Sequence, residues 1–185
     1  MYQTLFADAS FFALLREIDL DLANSARLGG CGCGGSLHAA RYPRKPRGGP
    51  ACLGREHSVR ESFCCSEEGC RRRTTPPSVR FFGRKVFFSL IILLVPILRE
   101  GLTPARFRRL EELLPVSRRT VQRWRRWWRE VFSTTPRGRQ ASAAMPLLES
   151  QRLPGSLLEM FGSGREAVVR ALRWLAPLGA GDHGR

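Results

Sequence analysis

Lysine is almost missing from this chain. Lys45 and Lys85 are the only two in 185 residues, yet Lys and Arg together number 31 against 16 acidic residues. The positive charge is therefore carried by arginine, whose planar fork of donors suits phosphates and guanine edges. Aspartate is equally scarce, at positions 8, 19, 21 and 182 only. Metal-dependent cleavage of nucleic acid needs paired carboxylates held on a rigid sheet, and these are too few and too scattered to supply them. No phosphate-binding glycine loop, nucleophile elbow or HExxH motif is present either. The first eight residues, MYQTLFAD, lack the basic region, apolar run and cleavage site of a secretory leader. The longest apolar run, Val86–Leu98, is broken by Pro96 and falls short of the ~20 residues a membrane span needs. It is read as a buried core helix. These absences lead us to expect a protein that is not an enzyme, lies in the cytoplasm and is associated with the nucleoid.

What the chain has in excess points the same way. The net charge is +15 and the hydrophobic fraction is 43%. The first calls for a polyanionic partner, nucleic acid before an acidic membrane surface. The second is enough to bury a core. The length fits one domain or two small ones.

All six cysteines, at 31, 33, 52, 64, 65 and 70, fall within one forty-residue stretch. In a chain without a leader, such a cluster is read as metal-binding before it is read as disulfide-bonded. Zinc takes about four ligands in a tetrahedron, two from each of two turns. Cys31-Gly32-Cys33-Gly34-Gly35 offers one pair and Cys65-Ser66-Glu67-Glu68-Gly69-Cys70 the other. Cys64 competes with Cys65, because adjacent strand residues point to opposite faces. His38 and Cys52 are reserve ligands.

Hydrophobic periodicity gives the organisation. Residues 1–30 hold an N-terminal helix with Phe12, Leu15, Ile18 and Leu22 on one side, capped by Asp8 or Ser10 and stopped at Gly29-Gly30. Residues 31–84 form a zinc-ribbon-like region in which Leu37–Tyr42 and His57–Cys64 pair as strands. Residues 85–132 hold three helices: one on the apolar run, a second from Thr103-Pro104 to about Leu114, and a third capped by Ser117 and running to about Phe132. Residues 133–152 read as a linker, 153–178 as two short helices (153–161 and 165–175), and 179–185 as a disordered tail. The expected class is mainly α with a small β zinc ribbon.

The second and third of those helices make a helix-turn-helix pattern. Phe107, Leu110, Leu113 and Leu114 face inward, Val116 plugs the corner, and Val121, Trp124 and Trp128 follow at spacings of three and four. Arg118, Arg119, Gln122, Arg123, Arg125 and Arg126 are left largely outward. Arg and Gln read base edges in the major groove from the first turns of such a helix, and further Arg hold phosphates.

The run FCCSEEGCRRRTTPPSVRFFGRK (63–85), followed by VSRRTVQRW (116–124), resembles the zinc ribbon and helix-turn-helix of insertion-sequence transposases over about residues 31–130. The resemblance implies zinc at Cys31, Cys33, Cys65 and Cys70, and element-end DNA on the 118–126 face. Transposases of this kind carry a further RNase-H-like domain with three metal-binding carboxylates, and nothing after residue 132 reads as one. The expected function is a transposase-related duplex-DNA-binding protein, accessory, regulatory or a truncated remnant. Two alternatives stay open: a non-catalytic subunit that works with a separate transposase catalytic subunit, and a zinc-dependent RNA-binding or protein-interaction module.

Overall fold

A computed structural model describes residues 2–98, 114, 116–144 and 148–183, the last three by their backbone. The chain is mainly helical with a small antiparallel sheet. It divides into two compact units. One comprises residues 8–88 and 173–185, the other residues 1–7 and 89–172.

In the first unit, helix α1 (Ala9–Leu28) starts where Asp8 accepts a hydrogen bond from the Phe11 amide, satisfying one of the orphan donors of a helix start. Its buried stripe is Phe11, Phe12, Leu15, Ile18 and Ala23, with Phe88 edge-on to Phe12 and stacked against Phe81. Strands β1 (Leu37–Ala39), β4 (Phe63–Cys65), β5 (Arg73–Thr75) and β6 (Gly181–His183) form one sheet in the order β1-β4-β5-β6. Leu37 lies opposite Cys65, and Ala39 opposite Phe63. A separate ladder joins β2 (Tyr42–Pro43) to β3 (Val59–Arg60). The expected pairing of 37–42 with 57–64 is thus present, split into two short ladders. Strand β6 lies where a disordered tail was expected. Its backbone pairs with β5, Thr75 opposite Gly181, a partner more than a hundred residues away that no local pattern announces.

Asp19 turns its carboxylate inward from α1. It accepts from the Ser78 hydroxyl at 2.7 Å, the Val79 amide at 2.7 Å and the Arg80 Nε at 2.8 Å. Arg80 also donates to the carbonyls of His57 and Val59. Arg60 donates to the carbonyls of Pro76 and Gly179, which ties the C-terminal segment to β3. The guanidiniums of Arg44, Arg60 and Arg80 all lie within 6 Å of the Phe81 ring, a cation–π arrangement.

In the second unit, helix α2 (Ser89–Leu98) is buried through Pro96, as expected for a core helix. It starts three residues later than the apolar run. Proline has no amide hydrogen, so Pro96 leaves the carbonyl of Ile92 without its helical donor. The Trp128 indole fills that place, Nε1 donating to Ile92 O at 3.0 Å. Trp128 belongs to the segment that follows α3 (Arg118–Arg126), a π-helical turn at Trp127–Val131 and a 3-10 turn at Phe132–Thr134. The third expected helix is therefore regular only to Arg126. The second, from Thr103 to Leu114, lies outside the described residues apart from Leu114, which is buried.

The expected linker contains a helix, α4 (Pro136–Ala144). It has no apolar stripe to betray it. Thr135 supplies the start, accepting from the Gly138 amide at 3.0 Å, and a Cβ on Gly138 would collide with the Phe132 carbonyl. Two further helices, α5 (Gly155–Glu159) and α6 (Gly164–Leu175), lie where short helices were expected. Among the described residues no helix is long and apolar enough to cross a membrane.

Candidate metal centre and nucleic-acid interface

Two loops of the first unit bring four cysteines together. The first, 31–36, leads into β1. It is closed by Cys31 N–H to Gly35 O at 3.0 Å and Gly34 N–H to Cys31 O at 2.8 Å. The turn places Gly34 at φ 88, in the left-handed region that glycine enters without steric cost. The second loop, 66–72, joins β4 to β5 and is closed by the Cys70 and Arg71 amides on the Glu67 carbonyl. Ser66 N–H to Ser36 O at 2.9 Å fastens one loop to the other. Gly35 permits that approach, since a Cβ there would lie 2.7 Å from the Cys65 sulfur and 2.6 Å from Glu67 Cγ.

The sulfurs of Cys31, Cys33, Cys65 and Cys70 all lie within 4.8 Å of one another. Cys31 and Cys70 are 3.7 Å apart, and Cys33 and Cys65 are 3.4 Å apart. Four sulfurs about 2.3 Å from a central tetrahedral ion would be spaced by roughly 3.8 Å, so the set fits such an ion. The backbone supports it. The amides of Gly35, Glu67 and Arg72 donate to the sulfurs of Cys33, Cys65 and Cys70, in each case two residues back. Amide hydrogens aimed at sulfur favour the thiolate, the form that binds metal.

The local environment acts unevenly on the thiols. The Gly35 amide, helped by the other three thiols, lowers Cys33 to about 7. At Cys65 the Glu67 amide acts to lower, but burial and the same neighbours outweigh it and raise the thiol to about 12. Cys70 is raised as well, against the pull of the Arg72 amide. Cys31, Cys65 and Cys70 also pack with Ala23, Leu37 and Phe63 in the small apolar cluster of this region. These three cysteines are thus both candidate ligands and part of the local core, whereas Cys33 is exposed.

The competing ligands are not in this group. Cys64 faces away from it and donates to the Arg71 carbonyl at 3.6 Å. His38 pairs with Cys64 across the sheet, and Cys52 is exposed elsewhere. Among the described residues no other cluster of cysteine, histidine or carboxylate groups could hold a metal ion.

The arginine-rich helix α3 lies in the other unit. The Ser117 hydroxyl accepts from the Thr120 amide at 3.3 Å, the cap expected from sequence. Val121, Trp124 and Trp128 are buried. Arg118, Arg119, Gln122, Arg123 and Arg126 are exposed. Arg125, the one member of this largely outward set that is not exposed, is half-buried, and its Nη2 donates to the Pro96 carbonyl at 3.3 Å. A helix end has carbonyls without partners, and Arg125 answers one of them.

Sequence reading missed the Asp19–Ser78–Arg80 network, since three polar residues on two distant segments carry no periodic signal. It also missed Arg129 and Gln151, which join Gln122, Arg125, Arg126 and Glu130 around a cleft of about 610 Å³.

No family model, no curated protein and no solved structure matches this chain.

Proposed function

We propose that this chain is a non-enzymatic, transposase-related protein that binds duplex DNA through helix α3 and holds one zinc ion at Cys31, Cys33, Cys65 and Cys70. In this reading residues 31–84 are a zinc ribbon and residues 85–132 are the helix-turn-helix region. The observation that carries it is the exposed face of α3, where four arginines and Gln122 surround a buried Val121–Trp124 ridge. A merely solvated helix normally mixes charge signs, and this one has no acidic residue before Glu130. Arg119, Gln122 and Arg123 occupy the first turns, where such helices meet base edges. The zinc would be structural. Four thiolates complete a tetrahedron and leave no open position for a reacting water, and the bound ion would cross-link two loops of a region with few core residues. Strand cleavage, where the protein takes part in it, would come from another chain's carboxylates. A chromosome-bound protein of the cytoplasm follows from the same reading.

The test is a gel shift at two salt concentrations, comparing duplex from the DNA flanking the protein's own coding sequence with unrelated duplex. Each lost bidentate base contact costs about 1–3 kcal/mol of discrimination. The triple variant Arg119→Ala, Gln122→Ala, Arg123→Ala should therefore lose preference for the flanking DNA and keep weak general binding. Preference that survives the triple change removes α3 as the reader. Equal wild-type affinity for structured RNA replaces the DNA reading with an RNA-binding one.

A further inference from the structure

The cleft beside the second half of α3 lies wholly within the unit formed by 1–7 and 89–172. Its lining among the described residues is Gln122, Arg125, Arg126, Arg129, Glu130 and Gln151, all polar or charged. Among these, three guanidiniums face one carboxylate, a surplus of two positive charges. Glu130 neutralises little of this, since its oxygen lies 4.0 Å from the Arg126 Nε with both side chains exposed.

Two features fix the positions of the donors. Arg125 is anchored by the Pro96 carbonyl, and Arg129 Nε reaches back to the Arg125 carbonyl at 3.4 Å. Across the cleft, the 3-10 turn Ser150–Arg152 presents Gln151. That turn is pinned by Arg152, which spans Glu149 at 3.0 Å and Glu159 at 2.7 Å, and by the Ser156 hydroxyl on the Glu149 carbonyl at 2.8 Å. Arg152 is thereby occupied, and neutral Gln151 is the residue left facing the arginines. A guanidinium fork opposite a side-chain amide suits an oxyanion with several acceptor oxygens.

We propose that this cleft is a phosphate site, filled in the DNA-bound protein by a backbone phosphate of the duplex that α3 reads. The inference rests on the duplex-DNA reading and deepens it. Arg129 and Gln151 become contact residues, and the segment after residue 133 becomes part of the DNA-binding surface.

Two measurements on the full chain test it. The first is the salt dependence of duplex binding. Each neutralised phosphate contributes about 0.9 to the slope of log affinity against log salt. Arg129→Gln should lower affinity for every duplex by about tenfold and flatten the slope by about one phosphate, leaving preference for flanking DNA unchanged. Glu130→Gln should tighten binding. The second is titration with inorganic phosphate at constant ionic strength, read by NMR at the Arg129 Nε–H and the Gln151 side-chain amide. Both signals should shift with phosphate, and the Gln151 signal should stop responding in Arg129→Gln. Phosphate-induced shifts in a protein that binds no duplex would uphold the site and defeat the DNA reading. A duplex slope that Arg129→Gln leaves unchanged, with no shift on adding phosphate, would overturn the site while leaving the DNA reading intact.

Discussion

At the scale of single residues, the first unit is held by a few buried polar groups whose partners are all supplied from within it. Asp19 and Arg80 are each about 1% exposed, and the Arg80 guanidinium meets the Asp19 carboxylate and the His57 and Val59 carbonyls, while the Arg80 and Phe81 amides meet the Ser78 hydroxyl. Removing one member of such a pair costs about 3–5 kcal/mol, because the other charge is left buried and unanswered. His57 differs. It is 7% exposed, and its Nδ1 has no hydrogen-bond partner. Burial holds its pKa below the usual 6.5; Glu56 opposes this at 3.6 Å, while Arg80 and Arg16 reinforce it. The folded protein thus favours neutral His57, and the unfolded chain binds the proton more readily. Stability from this residue is complete above about pH 6.5 and is lost as the pH falls from there through the folded pKa. We expect urea midpoints to drop between pH 7.5 and pH 5, and to drop less in His57→Gln. Any acid-driven release of metal from the proposed site would be common to both proteins, so their difference isolates the histidine. Equal drops in the two would show that His57 contributes nothing.

At the scale of elements, the contact between α2 and the Trp127–Phe132 segment carries a proline and its remedy. Pro96 removes a donor, and the Trp128 indole replaces it on Ile92. Trp128→Phe keeps most of the ring and removes the N–H. It should cost about 1–3 kcal/mol, the penalty of a buried carbonyl left unsatisfied, measured as a loss in denaturant midpoint. If Pro96→Ala is added, an amide returns to the helix and the penalty of Trp128→Phe should shrink. A penalty that stays the same in the Pro96→Ala background would refute this account of the bond.

The same elements mark how far the sequence could be read. Helix α1, a cap at Asp8 or Ser10 and the buried Phe12, Leu15 and Ile18 were legible because a 3.6-residue period and a cap are local signals, whereas Leu22, expected in the same stripe, is only half-buried. So were the Ser117 cap and the Val121–Trp124–Trp128 ridge. The four clustered cysteines were legible too, because two short-spaced pairs leave few other ways to surround an ion. Helix α4 was not. Its start depends on a threonine hydroxyl and a glycine pressed against a carbonyl, and it has no stripe. Arg125 was assigned to the outer face because periodicity cannot see a carbonyl freed at the end of another helix. The cleft around Arg129 and Gln151 joins residues twenty-two positions apart, and only folding brings them together.

At the scale of the whole molecule, the proposed metal site and the sheet would depend on each other. Three of the four cysteines, Cys31, Cys65 and Cys70, pack in the apolar cluster that β1, β4 and α1 share, so an ion held there would tie together the ends of strands only three residues long. One zinc per chain is expected from native mass spectrometry, and Cys70→Ser should abolish it. In the wild type, chelation should speed amide hydrogen exchange at Leu37–Ala39 and Phe63–Cys65 by at least tenfold. Exchange there that is indifferent to chelator would mean that the thiols and their neighbours hold the region unaided.

The order in which the pieces leave the ribosome gives β6 a further meaning. Both cysteine loops are complete once residue 72 has been made, whereas the strand that borders β5 is not made until residues 181–183. At about 5–20 residues per second, the ~110 residues between them take roughly 5–20 s. During that interval the outer edge of β5 lacks its β6 partner while the four thiols are already in hand. If the four thiols bind metal as proposed, capture comes first and edge closure last, and the ion would guard a half-built sheet through the stage at which an open strand is most exposed to pairing with a neighbouring nascent chain.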